Sequence, residues 1–214
     1  MKEPGTPPRR GRKSELSRGQ ILDAAARMLR RQGYGNTTLR GIAEVAGIQA
    51  GSIYYHFASK DEIMDAVLER GVRAVYEAVR DQLDALPGDA GHLRRIEAAV
   101  GAHLAALLNH GDYTSASIRT YGEVPQAFQQ KSLALRENYT TLWQDLLAAA
   151  QADGAIRSDL DPGLLRALLL GSLNWTVEWY DPNQRPVQDI ADQAIDMLFR
   201  GVMPEGRKYE GSQS

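Results

Sequence analysis

The chain has 214 residues, 43% of them hydrophobic, and no cysteine. It can bury a core, whereas disulfides, cysteine zinc sites, thiolate catalysis and cysteine-ligated iron–sulfur clusters are excluded. The formal net charge of −2 hides an asymmetry: residues 1–60 carry 11 basic and 4 acidic side chains, a net of +7, and residues 61–214 carry −9. Such a split suggests that one part meets a polyanion and the other does not.

Residues 1–17 are rich in Pro, Gly and Arg. They read as an extended or disordered basic arm, with Arg12 and Lys13 expected to touch phosphate or the minor groove; the alternative is a solubilising tail. No apolar signal core occupies the first 20 residues, so no secretory signal is expected. Ser17 is a candidate N-cap for a helix through Gln32, with Ile21, Leu22, Ala25, Met28 and Leu29 on one face. Gly33 and Gly35 end it. Thr37 or Thr38 caps a second helix, Leu39–Ala46, and Gly47 permits a tight turn. A third helix covers about 50–57. Ser59 and Glu62 form a capping box that opens a long helix to about Leu86, before Pro87-Gly88. Further helices are expected at about 90–109, 113–122, 125–152, 162–180 and 187–202, and Asp161-Pro162 marks the start of one. No segment alternates with period two, so the fold class is all-α with about nine helices. The expected domains are a reader at 18–62, a sensor at 63–204 and a disordered tail at 205–214.

The segment Thr37–Lys60 has the form of a helix-turn-helix. Small Ala43 lets its helices pack closely, and Ile48 and Ile53 plug the angle between them. Gln49, Ala50, Gly51, Ser52, Tyr54, Tyr55 and His56 then face outward or sideways, placed to enter a major groove. Tyr54 and Phe57 also have a claim on the core, and that reading is the stronger for both. Arg27, Arg30 and Arg31 lie beside the motif and offer at least one phosphate contact.

Thr38, Ile42-Ala43, Ala46-Gly47, Gly51, Tyr54-Tyr55-His56-Phe57 and Lys60 together resemble the DNA-binding domain of the TetR family of transcriptional regulators, over about residues 18–65. The resemblance implies phosphate contacts from Thr38, Tyr55, His56 and Lys60, and base-edge neighbours at Gly51 and Ser52. Two positions depart from the family pattern. Gln49 stands where Ser or Thr is common; it weakens the cap but suits adenine. Gly41 stands where an acidic residue is common and is expected to loosen the second helix.

The acidic part holds all three tryptophans. Candidate ligand-binding residues are His103, Tyr113, Arg119, Tyr121, Phe128, Tyr139, Trp143, Asn174, Trp175 and Glu178: large rings for a cavity wall and polar groups on otherwise apolar helices. His103 also reads as a hydrogen-bonded core residue, Trp143 and Trp175 as plain core, and Asn174 and Glu178 as polar contacts across a dimer seam. On the final helix, Ile190, Ala194, Ile195 and Leu198 belong to an apolar stripe with no partner left in one subunit, and Leu165, Leu169 and Ser172 supply the facing stripe. In the resembled family these two helices pair with their copies, so a homodimer is expected. A dimer would read a palindrome with half-sites about 34 Å apart.

The ending Trp175 to Pro182 resembles that of members answering acyl-CoA thioesters, for which Arg119, Lys131 and Arg136 are candidate basic groups. No metal or cofactor pattern occurs: neither G-x-S-x-G, H-E-x-x-H, a P-loop nor a dinucleotide glycine motif is present. The expectation is a cytoplasmic, ligand-responsive repressor. It would have no cofactor and no membrane partner, and would bind an operator in double-stranded DNA until a small effector releases it. The alternatives are an activator or ligand-independent binder, and, remotely, an enzyme.

Overall fold

The computed structural model describes residues 9–125 and 129–204. The helices are α1 (Arg9–Asn36), α2 (Leu39–Ala46), α3 (Ala50–Ile53), α4 (Lys60–Asp84), α5 (His92–Asn109), α6 (Gly111–Thr120), α7 (Gln130–Ala152), α8 (Pro162–Asn174), α9 (Thr176–Trp179) and α10 (Val187–Val202). No strand occurs among the described residues, and the fold is all-α as expected. The helix expected at 162–180 is α8 plus the single turn α9, meeting at Trp175.

Local chemistry sets most boundaries. Asp161 accepts the Leu164 amide at 2.6 Å, and Pro162 occupies the first helical position. Ser59 accepts the Glu62 amide at 3.1 Å, while the Glu62 carboxylate reaches back to the amide of Ala58 rather than to Ser59. Two starts differ from expectation. α1 begins at Arg9, so Ser17 is an interior residue and the basic arm is helical from Arg9 on. α7 begins at Gln130 instead of 125, because the Gln129 amide donates to the carbonyls of Tyr121 and Val124 and holds the connection from α6. At Gly33 a φ of 74° breaks α1, and the Tyr34 amide beyond it donates to Glu123 at 2.8 Å.

Two apolar cores result. The first gathers Ile21, Leu29, Ile42, Ile53 and Phe57 with Ile63, Met64, Val67 and Leu68 of α4, and with Tyr113 and Ala116 of α6. The second gathers Val75, Val79, Leu104, Leu107, Trp143, Leu147, Leu173, Ile195 and Phe199. Helix α4 runs through both. It packs on α1 at one end and on α5, α6 and α7 along its length.

The crossing of α4 and α6 depends on one missing side chain. A Cβ on Gly71 would lie 2.5 Å from the Tyr113 carbonyl oxygen and 2.9 Å from Ser117 Cβ. Backbone cannot move aside as a flexible side chain does, so Gly71→Ala forces the helices apart. We expect it to cost about 1–3 kcal/mol, read as a lower urea midpoint in equilibrium unfolding.

Candidate nucleic-acid interface and internal cavity

Thr38 caps α2 by accepting the Gly41 amide at 3.1 Å, which leaves the buried Thr37 hydroxyl to donate to Gly33. A Cβ at Gly41 would lie 2.7 Å from Met28 Cε, the far end of a flexible side chain that can turn aside. Gly47, with φ 68°, turns the chain; its amide is turned toward the Ala43 and Glu44 carbonyls. α3 has four residues, and Gln49 precedes it without a capping hydrogen bond. Ile53 and Phe57 are buried and pin α3 from beneath.

Everything else on this turn faces out. Gln49, Ala50, Gly51 and Ser52 are exposed, and Tyr55 is 78% exposed with the half-buried His56 edge-on at 5.1 Å. Tyr54 is 64% exposed, which overturns its core reading, whereas Phe57 is core as expected. Two aromatic rings held out in water, beside small residues, suit a groove and its phosphates. Lys60 is half-buried: its ammonium donates to the Tyr34 carbonyl at 2.6 Å and lies 4.0 Å over the Tyr34 ring. The Tyr34 hydroxyl donates to Asp61 at 2.5 Å, a bond that pushes its pKa up to about 12. Arg30 pairs with Asp112 of α6 at 2.9 Å, so one of the three arginines beside the motif faces the sensor. The side chains of Arg12 and Lys13 lie outside those described.

Between α4, α5, α6, α7 and α8 lies a cavity of about 590 Å³. His103, Tyr121, Tyr139 and Asn174, four of the candidate residues, line it. Trp143 is fully buried one layer behind, its ring edge-on to His103 and Tyr139. Arg136 and Arg166 also line the cavity. Arg136 donates to the Ser117 carbonyl and hydroxyl and covers the Tyr121 ring at 3.8 Å. The Nε atoms of Arg136 and Arg166 are buried without a hydrogen-bond partner, and neither guanidinium forms an ion pair among the described residues. Burial pushes the Arg136 pKa down, the sign of a cation that lacks a counter-charge. In the sequence Arg166 is marked only as a charge that interrupts the apolar run Leu164–Leu173.

Four expected ligand residues lie elsewhere. Tyr113 is a buried strut, donating to Asp23 of α1 at 2.5 Å and accepting from Arg70 of α4 at 3.0 Å. Burial and the Asp23 carboxylate raise its pKa. Arg119 and Glu178 pair with each other, and Arg119 also donates to the Arg30 carbonyl of α1 at 2.8 Å. Trp175 is 63% exposed on the outer face of α8, because Leu173 and Thr176 take the inward positions at that turn. Phe128 and the Lys131 side chain lie outside the described residues.

Leu164, Leu168, Trp179 and Met197 are also exposed large hydrophobic side chains. Beside them a groove of about 850 Å³ runs between α8 and α10. Leu165, Leu169, Ser172, Ile190, Ala194 and Leu198 line it, while Ile195 is turned into the core. Sequence reading missed Leu168, Trp179 and Met197 on this face.

Burial pushes the His103 pKa from 6.5 down to about 4, and the nearby Asn174 opposes this only partly. The folded protein therefore keeps His103 neutral where the unfolded chain takes up a proton. Its contribution to stability is complete above pH 6.5 and is lost as pH falls from 6.5 toward 4. The loss is of order 3 kcal/mol. Unfolding measured across this window should show a smaller decline in His103→Phe than in the native protein.

The family model of bacterial regulatory proteins of the tetR family matches residues 21–67, and that of the tetracyclin repressor-like C-terminal domain matches 89–202. The HTH-type transcriptional repressor KstR2 of Mycobacterium tuberculosis is 30% identical over 195 residues, covering 88% of this chain and 94% of that one. The solved structure of the ketosteroid transcriptional regulator KstR2 superposes with a TM-score of 0.77 at 28% identity, over 88% of this chain and 95% of the other. The fatty acid metabolism regulator protein of Bacillus subtilis is 23% identical, over 86% of this chain and 94% of its own length. AibR, solved in complex with isovaleryl coenzyme A and operator DNA, shares the fold with a TM-score of 0.73 at 24% identity, over 86% of this chain and 98% of that one. The exposed helix-turn-helix, the helical domain behind it and these matches lead to one assignment: the chain belongs to the TetR family and is a DNA-binding transcriptional regulator, not an enzyme.

Proposed function

We propose that the chain is a repressor that binds a palindromic operator as a homodimer and is released by an amphipathic anion, an acyl-CoA thioester being the first class to test. The observation that carries this reading is the cavity with two guanidiniums that lack counter-charges. Keeping cations in a partly apolar recess is costly unless an anion joins them. The volume falls within the usual range for small-molecule sites, roughly 300–1,000 Å³. The CoA class is favoured by the named ligand of AibR, a neighbour in fold.

The route from ligand to DNA is short. Ser117 of α6 and Asn174 of α8 line the cavity, and two and four residues further on Arg119 and Glu178 close their pair against the Arg30 carbonyl of α1. A ligand that wedges α6 from α8 alters this clasp and the pose of α1 beneath the reader. It shifts the equilibrium only by its differential affinity for the two poses. The groove between α8 and α10 and the exposed Trp179 beside it support a second copy as the cover of that face.

Fluorescence anisotropy on DNA flanking the gene tests the whole reading. Specific binding should fall steeply with salt as counterions are displaced. Tyr55→Ala should weaken binding about tenfold or more without a change in melting temperature. Absence of a specific site at moderate salt would overturn the DNA half of the proposal. An acyl-CoA series that releases nothing would remove that effector class. Glu178→Gln should keep operator and effector affinity but blunt release, with little loss of stability, because a half-exposed pair is worth about 0–1 kcal/mol.

A further inference from the structure

Tyr34, just beyond the Gly33 break in α1, makes polar contacts with both parts of the molecule. Three of its groups meet the start of α4. Its carbonyl accepts from the Lys60 ammonium at 2.6 Å, its ring lies 4.0 Å from that ammonium, and its hydroxyl donates to Asp61 at 2.5 Å. A fourth meets the sensor: its amide donates to the Glu123 carboxylate at 2.8 Å. Glu123 stands two residues after Tyr121, which lines the cavity, in a turn where the amides of Glu123 and Val124 both return to the Thr120 carbonyl.

Lys60 is an odd residue for its place. It is the first residue of α4, where a cation opposes the helix dipole; Asp61 and Glu62 of the same turn carry the sign that stability favours. Its charge is also kept available. Asp61, its neighbour in sequence, is bound by the Tyr34 hydroxyl, and Lys60 forms no ion pair among the described residues. An ammonium has three N–H donors, and the Tyr34 carbonyl takes one, which leaves two for an outside acceptor. A lysine side chain has many rotamers, and fixing one of them on binding weakens the complex. Contact with the Tyr34 ring and carbonyl fixes it during folding instead.

We infer that Tyr34 is a positioning residue for DNA binding: it holds the Lys60 ammonium ready for phosphate, and Glu123 sets its pose from the sensor. This rests on Lys60 meeting phosphate. Movement of the turn after Tyr121 then reaches a phosphate contact through Glu123 and Tyr34, by a route separate from the Arg119–Glu178 clasp.

A double-mutant cycle on the full chain tests this. The probe is a mixed-sequence DNA duplex, since phosphate contacts need no particular sequence. Lys60→Met should weaken binding and flatten the salt dependence by about one unit of slope per subunit. Tyr34→Leu should weaken binding about tenfold and flatten the slope in the same direction, yet change little once Lys60 is Met. Tyr34→Phe, which keeps the ring beside the ammonium, should stay within about threefold of the native protein. Glu123→Ala should weaken binding about threefold, again only while Lys60 is present. A thermal melt of each variant certifies its fold. If Tyr34→Leu costs the same in both Lys60 backgrounds, or Tyr34→Phe is as weak as Tyr34→Leu, the positioning role is overturned while the phosphate contact stands. If Glu123→Ala changes nothing, the link from the sensor is overturned. If Lys60→Met leaves affinity and slope unchanged, or the chain binds no duplex, the phosphate contact fails and this inference with it.

Discussion

The Tyr113 hydroxyl is the joint on which the two parts of the molecule depend. It gives its proton to Asp23 of α1 and accepts from Arg70 of α4. One buried ring on α6 thereby addresses the first helix of the reader and the long helix that runs through both cores. The Gly71–Tyr113 approach sets the α4–α6 crossing from the other side. With α6 held by both, displacement of α6 is also displacement of α1. The link is made of packed side chains and charge-assisted hydrogen bonds, the physical means by which a helical domain passes strain along.

Charge follows the same division. Near the reader, basic side chains either stand free on the surface or fold back on local partners, as Lys60 does on Tyr34 and Arg30 on Asp112. In the sensor the exposed cations are mostly paired within a turn of helix, Arg73 with Glu69 and Arg200 with Asp196. Arg136 and Arg166 break this rule: they are drawn inward and left without acids. A surface arginine is held in place by solvent at no cost. An inward one is a statement about what else occupies the space.

The reader was legible because its signals are local. Thr38, Gly47 and Ser59 do in the structure the capping and turning that their positions imply, and Ile53 and Phe57 are buried as the short amphipathic turn requires. The sensor was legible as helices but not as a site. Periodicity placed α8, yet Arg166 lines the cavity while Leu165 and Leu168 line the outer groove, and no pattern in the sequence says which face meets which. Trp175 and Tyr113 were misplaced for the same reason: a large ring is equally at home in a pocket wall, a joint or an outer face, and only long-range packing decides. Pairings such as Arg119 with Glu178, far apart in sequence, leave no local trace at all.

The smallness of α3 separates two demands that proteins usually have to satisfy together. Its four residues are anchored by Ile53 and by Phe57 just beyond, while Gln49, Ala50, Gly51, Ser52, Tyr54 and Tyr55 add almost nothing to the core. Exposed substitutions away from caps and cores change stability by no more than about 0.5 kcal/mol. On the proposed operator reading, the residues that would alter which bases are read are those whose change the fold scarcely registers. Such a surface can drift to a new target sequence without passing through an unfolded intermediate, and the sensor behind it need not change in step.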